Sequence, residues 1–278
     1  MRSWNRIAKT LMVGLTALGA CSDNEVIIVT RPVDVAIVTN VGTTMSAVLF
    51  AAADPFVPGG NAATTPEQAA ALAATNVNTY YAGNCATATA SGATVNYQLN
   101  DCRGPLGIVG VSGNYTVTYA TSPNGMQITV ASSNLTVGGA TAAINATAVY
   151  TQINADRSLA FTDRSTARGN SNDWVFNRTG TLAWTQGQSC ATENSSGTLT
   201  VNGTPIRLTL TDVVRCAGQC VVSGTEALSA SDGTTGTVTF GGTATPVLVA
   251  STGIGDQTLV IACTPTAVGN AVTLPPQR

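Results

Sequence analysis

From Cys85 onward, apolar positions alternate with hydroxyl and amide residues at a period of two, and turn dipeptides interrupt them at short intervals. That pattern predicts antiparallel strands with one wet face. Tyr115, Val117 and Tyr119 share a face, Asn124-Gly125 turns the chain, and Ile128 and Val130 follow. Leu135 and Val137 fall out of phase with that pair, which predicts a bulge near Ser132-Ser133. Ile144, Ala146, Ala148 and Tyr150 share the next face, then Leu159 and Phe161. Trp174 and Phe176 share one parity, as do Leu182 and Trp184. In the stretch 206–215, Ile206, Leu208, Leu210, Asp212 and Val214 alternate with Arg207, Thr209, Thr211, Val213 and Arg215. About a dozen such strands with short connections require antiparallel neighbours, since parallel ones need long crossovers. The expected fold is mainly β, a long antiparallel meander forming a curved sheet, a barrel-like form or a sandwich. No fixed repeat of the kind that builds propellers or solenoids is visible.

Two short N-terminal helices precede the strands. Residues 42–53 read as an apolar helix stopped by Asp54-Pro55. Thr65-Pro66-Glu67-Gln68 is a helix start, with Thr65 as N-cap and Pro66 in the first turn, and the Ala-rich run predicts a helix over 65–79. The chain divides into a leader at 1–20, a tether at 21–41, a helical segment at 42–82 packing on the β body, the β domain at 83–267 and a tail at 268–278. The run Val26 to Val38 is β-branched but broken by Arg31-Pro32.

Composition narrows the chemistry. Charged residues make up 9% of the 278 positions, against about 25% in ordinary soluble domains. No run after the leader is apolar for long enough to form a spanning helix. There is no His, and Lys9 in the leader is the only Lys. Ser-His-Asp triads, Cys-His dyads, His-ligated metals and Schiff-base lysines are therefore excluded from the body. Without Arg2, Arg6 and Lys9, nine basic residues face fourteen acidic ones, a poor basis for binding nucleic acid. No cofactor is expected.

Arg2, Arg6 and Lys9 precede a short apolar stretch from Leu11 to Leu18, which ends in Leu18-Gly19-Ala20-Cys21. This is an export leader in layout, and its end resembles the bacterial lipoprotein lipobox. The resemblance covers only these residues. It implies cleavage before Cys21, a diacylglycerol thioether on its sulfur and an acylated N-terminus, and so a membrane partner through the lipid anchor. Three acyl chains exceed the two signals that stable anchoring needs. Ser22, rather than Asp, after the lipidated Cys21 implies sorting to the outer membrane. The body, with Arg215 to Cys220, the Arg178-Thr-Gly-Thr stretch and Cys263-Thr-Pro265, resembles a group of uncharacterised secreted β-rich proteins of GC-rich Gram-negative bacteria. That second resemblance covers about 85–265 and implies no activity.

Six cysteines remain besides Cys21: Cys85, Cys102, Cys190, Cys216, Cys220 and Cys263. An even number in an exported chain reads as disulfides. Cys85 and Cys102 bracket a hairpin near Ser91-Gly92. Cys190 and Cys216 lie almost symmetrically about Asn202-Gly203, a strong hairpin turn. Simple register sets Cys190 opposite Arg215, so a one-residue bulge would align Cys190 with Cys216. Cys220 and Cys263 would then pair. The competing set is Cys216–Cys220 with Cys190–Cys263. The Cys216-to-Cys220 spacing and the lack of His do not fit a zinc site.

The acids available for carboxylate-pair chemistry are Asp101, Asp156, Asp163, Asp173, Glu193, Asp212, Glu226, Asp232 and Asp256. Most fall in expected turns. Asp212 shares the parity of Ile206 to Val214 and is expected to face inward, where it needs a partner such as Arg178. Asp156, Asp163 and Asp173 with Asn170 and Asn172 lack EF-hand spacing, and no metal site is expected. Trp174, Phe176 and Trp184 are expected on one face, either lining a ligand groove or forming ordinary core. With no catalytic motif in view, the leading expectation is a non-enzymatic outer-membrane lipoprotein, a structural or binding module contacting an envelope protein, glycan or lipid. The alternatives are a carrier of lipid or another apolar ligand, with the helix near Met45 to Phe50 as its lid, and a carboxylate-dependent carbohydrate-active enzyme. A deep apolar cavity would favour the carrier; a filled interior would favour the structural module.

Overall fold

The computed structural model describes residues 32–53, 65–103, 110–169, 172–186, 188, 190–216, 221–231, 235–241, 247–252 and 255–260. The leader, Cys21, Cys220, Cys263 and the tail lie outside the described residues.

Among the described residues three α-helices precede the strands, α1 (Pro32–Ala52), α2 (Pro66–Thr75) and α3 (Val77–Tyr80), with a short 3-10 turn at Ala82–Asn84. Thr65 caps α2 as expected, its Oγ1 accepting a hydrogen bond from the Gln68 N–H at 3.3 Å. The expected helix over 65–79 is broken at Asn76 into α2 and α3. The expected start of the first helix at 42 is corrected to Pro32. Pro32 is not a break but an N-terminal residue whose missing N–H costs nothing there. The β-branched run behind it becomes helix because propensity is a weak prior that tertiary context overrides.

The strands are β1 (Ala86–Ser91), β2 (Thr94–Cys102) and β3 (Val111–Ser122). Then come β4 (Gly125–Ser132) and β5 (Leu135–Val137), β6 (Ala140–Ala143) and β7 (Asn145–Ile153), and β8 (Asp156–Asp163) and β9 (Thr166–Gly169). They are followed by β10 (Asn172–Thr185), β11 (Cys190–Val201), β12 (Thr204–Cys216) and β13 (Ser223–Ala230). β14 (Thr235–Gly241), β15 (Val247–Thr252) and β16 (Gly255–Val260) complete the sheet.

All of these pairings are antiparallel, and they are those of a plain meander. β4 and β5 are the halves of one bent strand, as are β6 and β7, and β8 and β9. β4 pairs with β7 while β5 pairs with β6, and β10 pairs with both β8 and β9. The bends are aligned across the sheet. Ser132 N–H donates to the Ile144 carbonyl, Arg164 N–H to the Asn145 carbonyl and Phe176 N–H to the Ser165 carbonyl, each at 2.8 Å. The bulge expected near Ser132-Ser133 is the first of these bends. A crease of this kind strengthens the local curl. The sheet is ring-like but not a clean barrel, and among the described residues β1 and β16 are its unjoined ends.

The concave face holds α1. Residues 41–53 are all buried, polar Thr43, Thr44 and Ser46 included. A helix covered on every side occupies an interior rather than a surface. Phe50 packs edge-on against Trp184 of β10, ring centroids 4.9 Å apart. The Tyr119 hydroxyl of β3 donates to the Ala52 carbonyl at 2.9 Å, satisfying one of the unpaired acceptors at the helix end. Beside α2 and α3, the Tyr81 and Tyr115 hydroxyls lie 2.7 Å apart, and Tyr97 stacks on Tyr115 at 4.4 Å.

Candidate functional site: a buried charge network around the first helix

Strand alternation turns charged side chains from five neighbouring strands into the concave face, where these five meet: Asp163 of β8, Arg178 of β10, Glu193 of β11, Arg215 of β12 and Glu226 of β13. All five are buried. Arg157, also buried on β8, lies at the far end of that strand and donates to the Asn154 carbonyl instead. Glu193, 0% exposed, is the hub. Its Oε1 accepts from Arg178 Nη1 at 3.0 Å and from the Ser195 hydroxyl at 3.2 Å. Its Oε2 accepts from Arg215 Nε at 3.1 Å and from the Ser46 hydroxyl of α1 at 2.8 Å.

The two guanidiniums extend the network. Arg178 Nε donates to Asp163 Oδ2 at 2.9 Å, and Arg178 Nη2 donates to the Gly42 carbonyl of α1 at 3.3 Å. Its guanidinium also lies 5.7 Å from the Phe161 ring centroid, within cation–π range. Arg215 Nη1 donates to the Thr43 hydroxyl of α1 at 2.6 Å. Asp163 accepts from the Ser165 N–H at 3.0 Å and from the Ser165 hydroxyl. Gly197, paired with Arg178, makes room for the arginine stem: a Cβ there would stand 2.6 Å from the Arg178 Cβ.

Two cations face three carboxyl groups, and the protons distribute accordingly. Burial alone would raise the Glu193 carboxyl, but Arg178 and Arg215 outweigh it and hold the group below the ordinary carboxylate range. Burial raises the Glu226 carboxyl above that range. Arg215 and Arg178 pull it back only in part, and the charge on Glu193 pushes it further up. Glu226 is the surplus acid, because Asp163 and Glu193 already match the two guanidiniums. Burial works against the charge on Arg178, yet Glu193 and Asp163 more than restore it and raise its pKa.

Asp212 does not face inward, which corrects the expectation from parity. It is exposed, sits at φ +48° and occupies a bulge in β12. The Asn194 amide donates to Asp212 Oδ1 at 3.1 Å, and the Asp212 N–H donates to Asn194 Oδ1 at 2.8 Å. One extra residue reverses the facing of everything beyond it, so Val213 and Arg215 turn inward in place of Asp212 and Val214. The same bulge brings Cys190 opposite Cys216, and the two form a disulfide with Cα atoms 4.0 Å apart. Cys85 and Cys102 form the second, with Cα atoms 5.2 Å apart.

Trp174, Phe176 and Trp184 all face the interior and are buried, with Phe50 of α1 over Trp184. Among the described residues the Trp174 indole N–H has no hydrogen-bond partner. Asp163 does not join Asp156 and Asp173, which stay exposed; Asp173 pairs instead with Arg168. Among the described residues no cluster of His, Cys, Asp and Glu is placed to hold a metal, and no helix is long and apolar enough to cross a membrane.

Asp163, Glu193 and Glu226 point inward although no inward role is expected for them from the sequence. Their signal is parity: Asp163 follows Leu159 and Phe161, Glu193 precedes Leu199 and Val201, and Glu226 precedes Leu228 and Ala230. Chemically, Glu193 is held ionised, away from water, with four donors on it. A good general acid or base needs a pKa near working pH and reach to a substrate proton. What the arrangement does bond is the first helix, through the Gly42 carbonyl and the Thr43 and Ser46 hydroxyls. Compared with protein-family models, curated proteins and solved structures, the chain matches none.

Proposed function

We propose that the chain is a non-enzymatic lipoprotein of the bacterial outer membrane, anchored through Cys21, whose β body is a structural or binding module of the cell envelope. The observation that carries this reading is a helix inside the sheet: residues 41–53 are buried against the concave face, and α1 is tied to the sheet through Gly42, Thr43 and Ser46. A lipid carrier would need that space. Expelling α1 would break the hydrogen bonds that Glu193, Arg178 and Arg215 make to Ser46, Gly42 and Thr43, each bond to a charged group being worth about 1.5–3 kcal/mol. The leader and Cys21 supply the anchor. Only residues 22–31 separate Cys21 from α1, at most about 35 Å of extended chain. The anchor therefore pulls directly on the helix that the charge network holds.

Two measurements test this. Globomycin, which blocks lipoprotein signal cleavage, should make an unprocessed precursor accumulate; normal maturation under the drug would end the lipidation claim. Native mass spectrometry of the membrane-purified chain should give the acylated mass alone; a stoichiometric co-purifying lipid would restore the carrier.

A further inference from the structure

We propose that the outer face of β1–β4 carries a binding groove for a neutral oligosaccharide. This supplies a ligand class for the binding module above. The groove is open, about 580 Å³, and within the range of small-ligand sites. Its lining includes Thr87, Asn96, Gln98, Asn114, Ser133 and Asn134, all exposed. No charged side chain lines it.

Three observations point to a sugar. First, four primary amides, Asn96, Gln98, Asn114 and Asn134, converge there from β2, β3 and the β4–β5 corner, and among the described residues none of the four has a side-chain hydrogen-bond partner. Each offers two donors and an acceptor, the complement of vicinal hydroxyls. Second, a lining without charge gives no counterpart to an ionic ligand, which would lose hydration without return. Third, the wall is built by the backbone. Gly113, at φ +119°, lets the β4–β5 corner lie against β3, where a Cβ would stand 2.7 Å from the Asn134 carbonyl. Ser132 holds that corner, its hydroxyl accepting from the Ile144 N–H at 2.8 Å. Four strands span about 14 Å at ordinary spacing, the length of about three pyranose rings.

The full chain as purified is titrated with cellohexaose, maltohexaose and hexa-N-acetylchitohexaose, and with a neutral Gly-Ser hexapeptide. At least one hexaose should shift the backbone resonances of β1–β4 saturably at millimolar concentration. Each amide hydrogen bond of ordinary strength is a factor of about 2–12 in affinity. The triple variant Asn96→Ala, Gln98→Ala, Asn114→Ala should therefore weaken binding at least about tenfold. Its Tm should change little, because these side chains are exposed and make no hydrogen bond with the described residues. Saturable binding by none of the hexaoses, preference for the peptide, or binding that survives the triple variant would each overturn the proposal. The mass of the same sample reads the lipid anchor independently, so failure of one reading does not mimic failure of the other.

Discussion

Replacing Glu193 by Gln keeps the shape of the hub and removes its charge. Arg178 retains Asp163, but Arg215 loses the only carboxylate hydrogen-bonded to it among the described residues. Breaking a buried pair from one side costs about 3–5 kcal/mol. One compensation is built in. Burial is the main cause that raises Glu226, but with Glu193 neutral the added repulsion vanishes, and ionisation of Glu226 near Arg215 becomes easier. At pH 7 the cost should therefore sit near the lower end, about 3 kcal/mol. In a body of this size each kcal/mol moves Tm by about 2–4 °C, so Tm should fall by about 6–12 °C. Adding Glu226→Gln removes the compensation, and the double variant should lose about 5 kcal/mol. Urea denaturation followed by tryptophan fluorescence reads both. A single variant within about 1 kcal/mol of wild type, or a double variant no worse than the single, would refute the charge count.

Glu226→Gln alone should stabilise the protein at pH 7. A carboxyl raised on folding contributes stability below its unfolded pKa and loses it as pH rises through the folded one. The gain of the variant should therefore appear above the ordinary carboxylate pKa and grow with pH, as denaturation midpoints across pH would show. Glu193 has the opposite sign: it is depressed on folding, so its stabilisation is complete above the ordinary value and is lost as pH falls through the folded pKa. Gly197→Ala sets a Cβ 2.2 Å from the Asn177 carbonyl and against the Arg178 stem. It should cost about 3 kcal/mol or more, read as a fall in Tm. Removing the Cys190–Cys216 bridge opens a separation of 26 residues; its loss should cost about 3–4 kcal/mol by loop entropy, seen as a lower urea midpoint. Asp212→Asn should change stability by less than about 0.5 kcal/mol, because Asn tolerates positive φ. Asp212→Val should cost about 1–3 kcal/mol, and equal Tm values for the two would contradict the bulge.

The alternation from Tyr115 to Val214, the turn dipeptides and the Thr65 cap were legible because each is a local property, set by pleat geometry or by one side chain's bond to a nearby backbone group. The bulge between Val130 and Leu135 was legible for the same reason: a phase slip shows in the apolar pattern itself. Cys190 and Cys216 were legible as a pair because a turn at Asn202-Gly203 sets the register within one residue.

What stayed hidden depended on non-local contacts. The bulge at Asp212 exchanged it for Arg215 on the inner face, and one residue of slip carries no apolar marker when the residues concerned are charged. Pro32 began a helix rather than ending a strand because the sheet offers α1 an interior to fill, and propensity alone is too weak to decide that. The burial of Asp163, Arg178, Glu193, Arg215 and Glu226 could be settled only by their meeting, since a charge is affordable inside only when its partners arrive from other strands. The sequence by itself determined that there would be strands, where they turn and which face is apolar. The tertiary structure alone decided which charges lie inside and that a helix lies between them, because Coulomb attraction and desolvation depend on distances no local pattern contains.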